Sequence, residues 1–273
     1  MRRYVNQPLA IGADIILEDE DYNYIVRVLR HREGDSIVLF NGEGGEYHGI
    51  IIEITKRHLT VRLKKYNPIN RGSRIKINIL QSLVKGEKMD FVLQKGSELG
   101  MHSITPIVTE RSVLHLKKEQ LPKRLERWHQ IITAACEQCG LNIPPQLHEP
   151  IALKEWIENR HSEEESLLIT LSPTAEQSLG NFLSHDLEDG ETMPASITFI
   201  IGPEGGLSDE EIELLQKAGA HSVTLGPRIL RTETAALSVI STLQGIIGDW
   251  SEAAERTIEI ENDEYLQTHE EFD

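Results

Sequence analysis

Two cysteines in 273 residues are too few for a disulfide framework and suit a reducing compartment. Nowhere does the chain offer the roughly 18 consecutive apolar residues that a membrane-crossing helix requires. Its opening, MRRYVNQPLAIGAD, lacks the apolar stretch of a secretory signal, so a cytoplasmic protein with no membrane partner is expected. Basic residues are scarce: 28 Lys and Arg stand against 44 Asp and Glu, a net charge of −16. Taken whole, that balance argues against a nucleic-acid partner, because phosphate binding needs a basic surface. There is no G-x-G-x-x-G, no glycine loop closed by Lys-Ser/Thr, and no H-E-x-x-H among the 11 histidines. Dinucleotide, nucleoside-triphosphate and zinc-protease signatures are therefore absent. The one C-x-x-C, Cys136 and Cys139, falls near the end of a predicted helix, whereas redox pairs sit at helix starts where the dipole lowers a thiol pKa. No second pair completes a zinc site, and no metal is expected.

What is present is unevenly placed. Residues 1–72 hold 11 basic and 10 acidic groups, and residues 73–130 hold 11 and 6. The acidic excess sits in residues 154–192, with 10 acidic against 2 basic groups, and in residues 251–273, with 9 acidic against Arg256 alone. The first 130 residues can thus present a basic face. Residues 251–273 carry few apolar side chains and read as an acidic, solvated tail.

Residues 36–66 alternate in the manner of strands, in SIVLF, EYHGIIIEI and HLTVRLKKY, separated by tight-turn residues. A small β-barrel or sandwich within residues 1–72 is expected. Ahead of these strands, EDEDYNYIVRVLRHREGD reads as one short helix with Ile25, Val28 and Leu29 on one face and Arg27 and Arg30 toward the other. The stretch YNPINRGS marks a linker, with a boundary near residues 68–74. Beyond it, over residues 73–250, apolar strands alternate with amphipathic helices. Strands that read as nearly continuous apolar runs predict an α/β domain with a parallel sheet covered on both faces.

Two loops carry the chemistry. In FIIGPEGGLSDEE an apolar strand ends at Gly202, Gly205 and Gly206 permit close backbone approach, and Ser208 with Glu211 forms a capping box that starts a helix. In LGPRILRTETAA a second strand ends in a Gly-Pro turn, followed by Arg228, Arg231 and Glu233 at a helix start. Guanidiniums beside a glycine loop suit a polar or anionic ligand, although Arg231 and Glu233 could also simply pair. Two such loops at the ends of successive strands predict one convergent pocket.

The strings IIGPEGGLS and LGPRILRTETAAL resemble the signature of the bacterial 16S ribosomal RNA uridine N3-methyltransferases of the SPOUT superfamily. The resemblance continues through VLR at 28–30, GEKMDFVLQKGSELG, ITPIVTERS and ERWHQIITAACEQCG, in order, over residues 1–250. It implies a PUA-like β-barrel that binds RNA, then a methyltransferase domain with a trefoil knot, S-adenosylmethionine as cofactor, and a homodimer. The implied target is a uridine of the 1498 type near the decoding centre of the small ribosomal subunit. By position, LSP at 171–173 and the two loops above become three cofactor loops, with Leu171, Ile201, Gly202, Gly205, Gly206, Leu225, Gly226, Leu230 and Thr232 as contacts. Methyl transfer to N3 of uracil needs a positioned, deprotonated nitrogen, so a cation is expected nearby: Arg231 first, then Arg228. Glu204 or Glu233 serves as base or orienting group. Arg3, Arg27, Arg30, Lys85, Lys88 and Arg111 are the candidate RNA contacts. The chain departs from the family pattern at Leu141-Asn142, where an Arg usually follows ACEQCG, and at Asn23-Tyr24, where a His often stands. Two other functions stay open at this level: methylation of a different RNA base, and an inactive RNA-binding assembly factor.

Overall fold

The computed structural model describes residues 1–84, 86–112, 118–160, 166–188, 194 and 196–250. Lys85 and the acidic tail at 251–273 lie outside the described residues. The first five strands are β1 (Arg2–Tyr4), β2 (Asp14–Glu18), β3 (Ser36–Phe40), β4 (Glu46–Ile54) and β5 (His58–Asn67). They form one curled sheet in the order β1-β3-β4-β5-β2, antiparallel except where β1 joins β3. Leu17, Ile37, Leu39, Leu59, Val61 and Leu63 fill its interior. At the β4–β5 register shift stands Gly49, where a Cβ would lie 2.6 Å from Val61 Cγ1 and 2.9 Å from the Arg62 carbonyl. Only glycine lets the strands approach so closely there.

The expected helix after β2 needs correction. One α-turn, α1 (Asp19–Tyr22), passes directly into a π-helical stretch, Asn23–Val28, in which Leu29 N–H donates to the Tyr24 carbonyl at 2.9 Å. The wider i→i+5 turn breaks the i, i+3, i+4 face. Ile25 is fully buried, but Val28 and Leu29 are 64% and 42% exposed. They face solvent beside Tyr24, Arg27 and Arg30.

The second unit is a parallel sheet, ordered β12-β10-β11-β6-β7-β8 with β9 also on β7. Its strands are β6 (Lys76–Ser82), β7 (Ser103–Val108), β8 (Gln146–Leu147), β9 (Ile151–Ala152), β10 (Ser166–Leu171), β11 (Ser196–Ile201) and β12 (His221–Val223). Its helices are α2 (Lys88–Glu98), α3 (Leu121–Cys139), α4 (Leu153–Asn159), α5 (Leu179–Glu188), α6 (Asp209–Lys217) and α7 (Thr232–Ile246). Residues of α2, α3, α5 and α7 enter one core with Ile77, Ile79 and Phe199. Those of α4 and α6 enter the other, with Leu80, Leu168 and Ile200. Alternate residues of each strand thus feed opposite faces, as a doubly covered sheet requires. The capping box of Ser208 and Glu211 forms as expected. Gly140, left-handed at φ 91°, ends α3 directly after Cys139, so the C-x-x-C sits at the helix C-terminus. Both thiols are free and Cys136 is buried.

The two units are not separate bodies. Phe40, from the curled sheet, is fully buried in the larger core of the second unit, and Tyr4 packs against that core. In the parallel sheet, His102 precedes β7 and His148 follows β8. Burial holds both below the ordinary histidine value of 6.5, and His102 also feels the cationic Lys76. The fold therefore prefers neutral rings. Their contribution is intact above that ordinary value and is lost as pH falls through the lowered folded values. Thermal melts are expected to show lower stability at about pH 5.5 than at neutrality. His102→Gln combined with His148→Gln should narrow that difference; an unchanged difference would assign the acid sensitivity elsewhere.

Candidate active site

The carboxyl ends of β10, β11 and β12 open into a cavity of about 490 Å³, within the range of small-molecule sites. Strand order explains its place. The chain runs from β10 to β11 on one side, then returns across β10 to β12 on the other, and ligand crevices form where such connections diverge. All nine expected cofactor contacts line this one cavity: Leu171, Ile201, Gly202, Gly205, Gly206, Leu225, Gly226, Leu230 and Thr232. Glu204, Arg228 and Arg231 line it too. Ser172, Pro203, Thr224 and Ile229 also contribute walls, and sequence reasoning did not single them out.

Local hydrogen bonds hold the loops open. Thr232 Oγ1 donates to the Gly202 carbonyl at 2.6 Å, fixing the start of α7 against the GPEGG loop. Gly206 N–H donates to the Pro203 carbonyl at 2.9 Å, closing a turn whose left-handed φ of 72° favours glycine. Thr224 Oγ1 braces the third loop through the Gly226 carbonyl at 3.1 Å. From β7's exit, the Arg111 guanidinium donates to the carbonyls of Gly205 and Leu207, each at 3.1 Å.

The charged rim is asymmetric. Lys88, at the start of α2, meets Glu204 Oε1 at 2.9 Å and Glu233 Oε2 at 3.7 Å. The hydrogen bond to Glu204 raises the Lys88 pKa, with the Glu233 charge adding to it, so this ammonium stays charged. Glu233 is therefore next to Lys88 and not simply paired with Arg231. Its Oε2 is buried without a hydrogen-bond partner among the described residues. Arg228 and Arg231 are exposed, and neither guanidinium makes an ion pair among the described residues. Two cations with no ion pair among the described residues thus line a largely apolar cavity, beside the Lys88-paired Glu204.

The six candidate RNA contacts fall into different places. Arg27 and Arg30 are exposed on the π-helical turn and just beyond it. Arg3 is committed elsewhere: it meets Glu137 at 3.1 Å and its Nε donates to Asp21 at 2.6 Å. Lys88 and Arg111 belong to the cavity rim, and Lys85 lies outside the described residues. Among the described residues no group of three or more His, Cys, Asp or Glu could hold a metal, and no helix is long and apolar enough to cross a membrane.

Apolar walls from Leu171, Leu225 and Leu230, backbone polar groups from two glycine loops and the Leu171–Pro173 turn, and the cations Arg228 and Arg231 make a ligand-sized cavity at the carboxyl ends of a parallel α/β sheet. Residues 71–244 match the RNA methyltransferase domain, and residues 17–64 match the RNA methyltransferase PUA domain. The chain belongs to the ribosomal RNA small subunit methyltransferase E family. The member from Buchnera aphidicola of Acyrthosiphon pisum is 32% identical over 250 residues, 91% of this chain and 94% of its own. A Legionella pneumophila methyltransferase, solved with bound S-adenosylmethionine, superposes with TM-score 0.82 at 37% identity, covering 91% of this chain and 98% of that one. The Neisseria gonorrhoeae ribosomal RNA small subunit methyltransferase E, also bound to S-adenosylmethionine, gives 0.81 at 33% identity, covering 91% and 98%.

Proposed function

We propose that this chain transfers a methyl group from S-adenosylmethionine to N3 of a uridine in 16S ribosomal RNA. The observation that carries the reading is the convergence of three loops, from residues 171–173, 201–207 and 224–232, on one cavity edged by Arg228 and Arg231. Adenine and the carbon chain of the methionine need apolar walls with backbone donors and acceptors close by, which the leucines and glycines supply. When bound, the cofactor offers an electrophilic methyl on a sulfonium.

The chain's own residues do the rest. Uracil N3 carries a proton, so it becomes a nucleophile only as that proton leaves. Arg231, with Arg228 beside it, stabilises the resulting anion on the base. Glu204 and Glu233, both held by Lys88, accept or orient that proton. Because N3 lies on the Watson–Crick edge, the uridine must enter unpaired and turned out of its stack. On this reading the protein works in the cytoplasm as a homodimer, the knot of its superfamily forms around the cofactor loops, and the target is the uridine near the decoding centre.

An N3-methylated uridine cannot pair, so it stops reverse transcriptase. Deleting the gene should abolish that stop in 16S RNA, and a plasmid copy should restore it. A stop that persists in the deletion strain overturns the assignment. Exposed cations on and just after the π-helical turn supply the grip: Arg27→Ala with Arg30→Ala should reduce the salt dependence of RNA binding by about 0.7 per lost phosphate contact. An unchanged slope would place the RNA surface elsewhere.

A further inference from the structure

A buried charge cluster unused by the chemistry lies between the two units. Glu46, at the start of β4, is only 4% exposed. Its carboxylate meets Arg2, accepts from Arg71 Nη1 at 3.0 Å and Asn67 Nδ2 at 3.2 Å, and has His48 Nε2 at 3.4 Å. Despite burial, these donors and cations hold its pKa well below the usual carboxylate range. The same two arginines continue across the boundary. Arg2 and Arg71 both donate to the Gly140 carbonyl, at 3.2 and 3.0 Å, where the dipole at the end of α3 attracts cations. Arg2 also donates to Asn142 Oδ1 at 2.5 Å, and its guanidinium lies 4.8 Å over the Phe40 ring. Asn142 Nδ2 donates to the Ile69 carbonyl at 2.9 Å. One turn earlier on α3, Glu137 takes Arg3 at 3.1 Å and the Tyr4 N–H at 3.0 Å.

We propose that this cluster is an alignment clamp: Glu46, Arg2 and Arg71 lock the end of α3 to the curled sheet, fixing the distance from the RNA-gripping surface to the methyl-transfer cavity and thereby selecting the uridine. The clamp takes in Leu141 and Asn142, the two residues that follow the α3 cap. Leu141 joins the core, and Asn142 is almost wholly buried as a clamp member. A buried ion cluster gives little net stability over an apolar replacement, whereas its directional bonds specify one orientation. Phe40 supplies apolar attachment but little directionality.

The proposal rests on RNA methylation being the activity, and its test separates the two. Glu46→Gln, Arg71→Met and the conservative Arg71→Lys would be compared with wild type on two RNAs. One is the small-subunit particle, which reaches both units; the other is a short uridine oligonucleotide that reaches only the cavity. Glu46→Gln and Arg71→Met should raise KM for the particle at least tenfold with kcat nearly unchanged. They should leave the oligonucleotide rate and S-adenosylmethionine affinity as in wild type, and Arg71→Lys should recover most of the loss. Independently of any RNA, Glu46→Gln should speed tryptic cleavage after Arg74 in the linker severalfold. Equal losses on both RNAs, or a particle KM and cleavage rate both matching wild type, would overturn the clamp. A wild-type protein that methylates neither RNA would overturn the functional reading, leaving the cleavage rate to judge the clamp.

Discussion

Alanine in place of Arg231 is expected to lower the methylation rate by about 10²–10³-fold, the cost of removing one charge-stabilising donor from a transition state. The side chain is exposed at the cavity mouth, and its backbone, in extended conformation at ψ 151°, forms the N-cap of α7. Truncation therefore removes little packing, and both melting temperature and S-adenosylmethionine affinity should stay close to wild type. Without the cation, more of the ionisation of N3 must come from solvent hydroxide, so the variant's rate should climb with pH beyond the wild-type plateau. Arg231→Lys should recover part of the loss as a point charge lacking the fork. Wild-type turnover in Arg231→Ala would remove this residue from the chemistry.

The second large effect is expected at Gly202. A Cβ there would stand 3.3 Å from Leu207 Cγ and 3.4 Å from its backbone nitrogen. The branched methyls of Gly202→Val must displace the Pro203–Leu207 loop or enter the cavity. The Gly202 carbonyl also receives the Thr232 hydroxyl that seats α7, so a shift here moves two of the three loops. Calorimetric affinity for S-adenosylmethionine should weaken at least about a hundredfold, near 2.8 kcal/mol at about 1.4 per tenfold. The sheet, closed by Phe199 and Ile201 beneath, should remain folded. Tight binding by Gly202→Val would mean that the cofactor sits elsewhere.

Much of this site is legible in the sequence because its parts are backbone-determined. Glycine-proline turns announce where strands end, and in a parallel sheet strand ends converge. That is how residues 202 and 225 come together, whereas residue 171, in a Leu-Ser-Pro turn without glycine, joins them only through the family resemblance. Charge assignments transfer less well. Arg3 resembles a free surface cation until the fold brings Glu137 beside it, and Lys88 meets Glu204 only through a pairing 116 residues apart. Neither partner can be found by spacing. The helix reading failed at Val28 and Leu29 because amphipathic patterns assume 3.6 residues per turn, which the π-helical stretch does not keep. The seven-residue α4, too short to show two apolar turns, and the α5 segment also escaped notice.

The pairing of β6 with β11 has a consequence for the order in which the molecule can be made. Lys76 of β6 lies opposite Ser196 of β11, so the centre of the parallel sheet waits until the chain is some three-quarters synthesised. The curled sheet, complete at Asn67, leaves the ribosome first with Phe40 still lacking the core that buries it. During that interval a large aromatic side chain lacks its completed core, and elongation at about 5–20 residues per second makes the wait last seconds or longer. A nascent chain stalled before β11 should therefore engage chaperones through the surface around Phe40, and Phe40→Ser should weaken that capture.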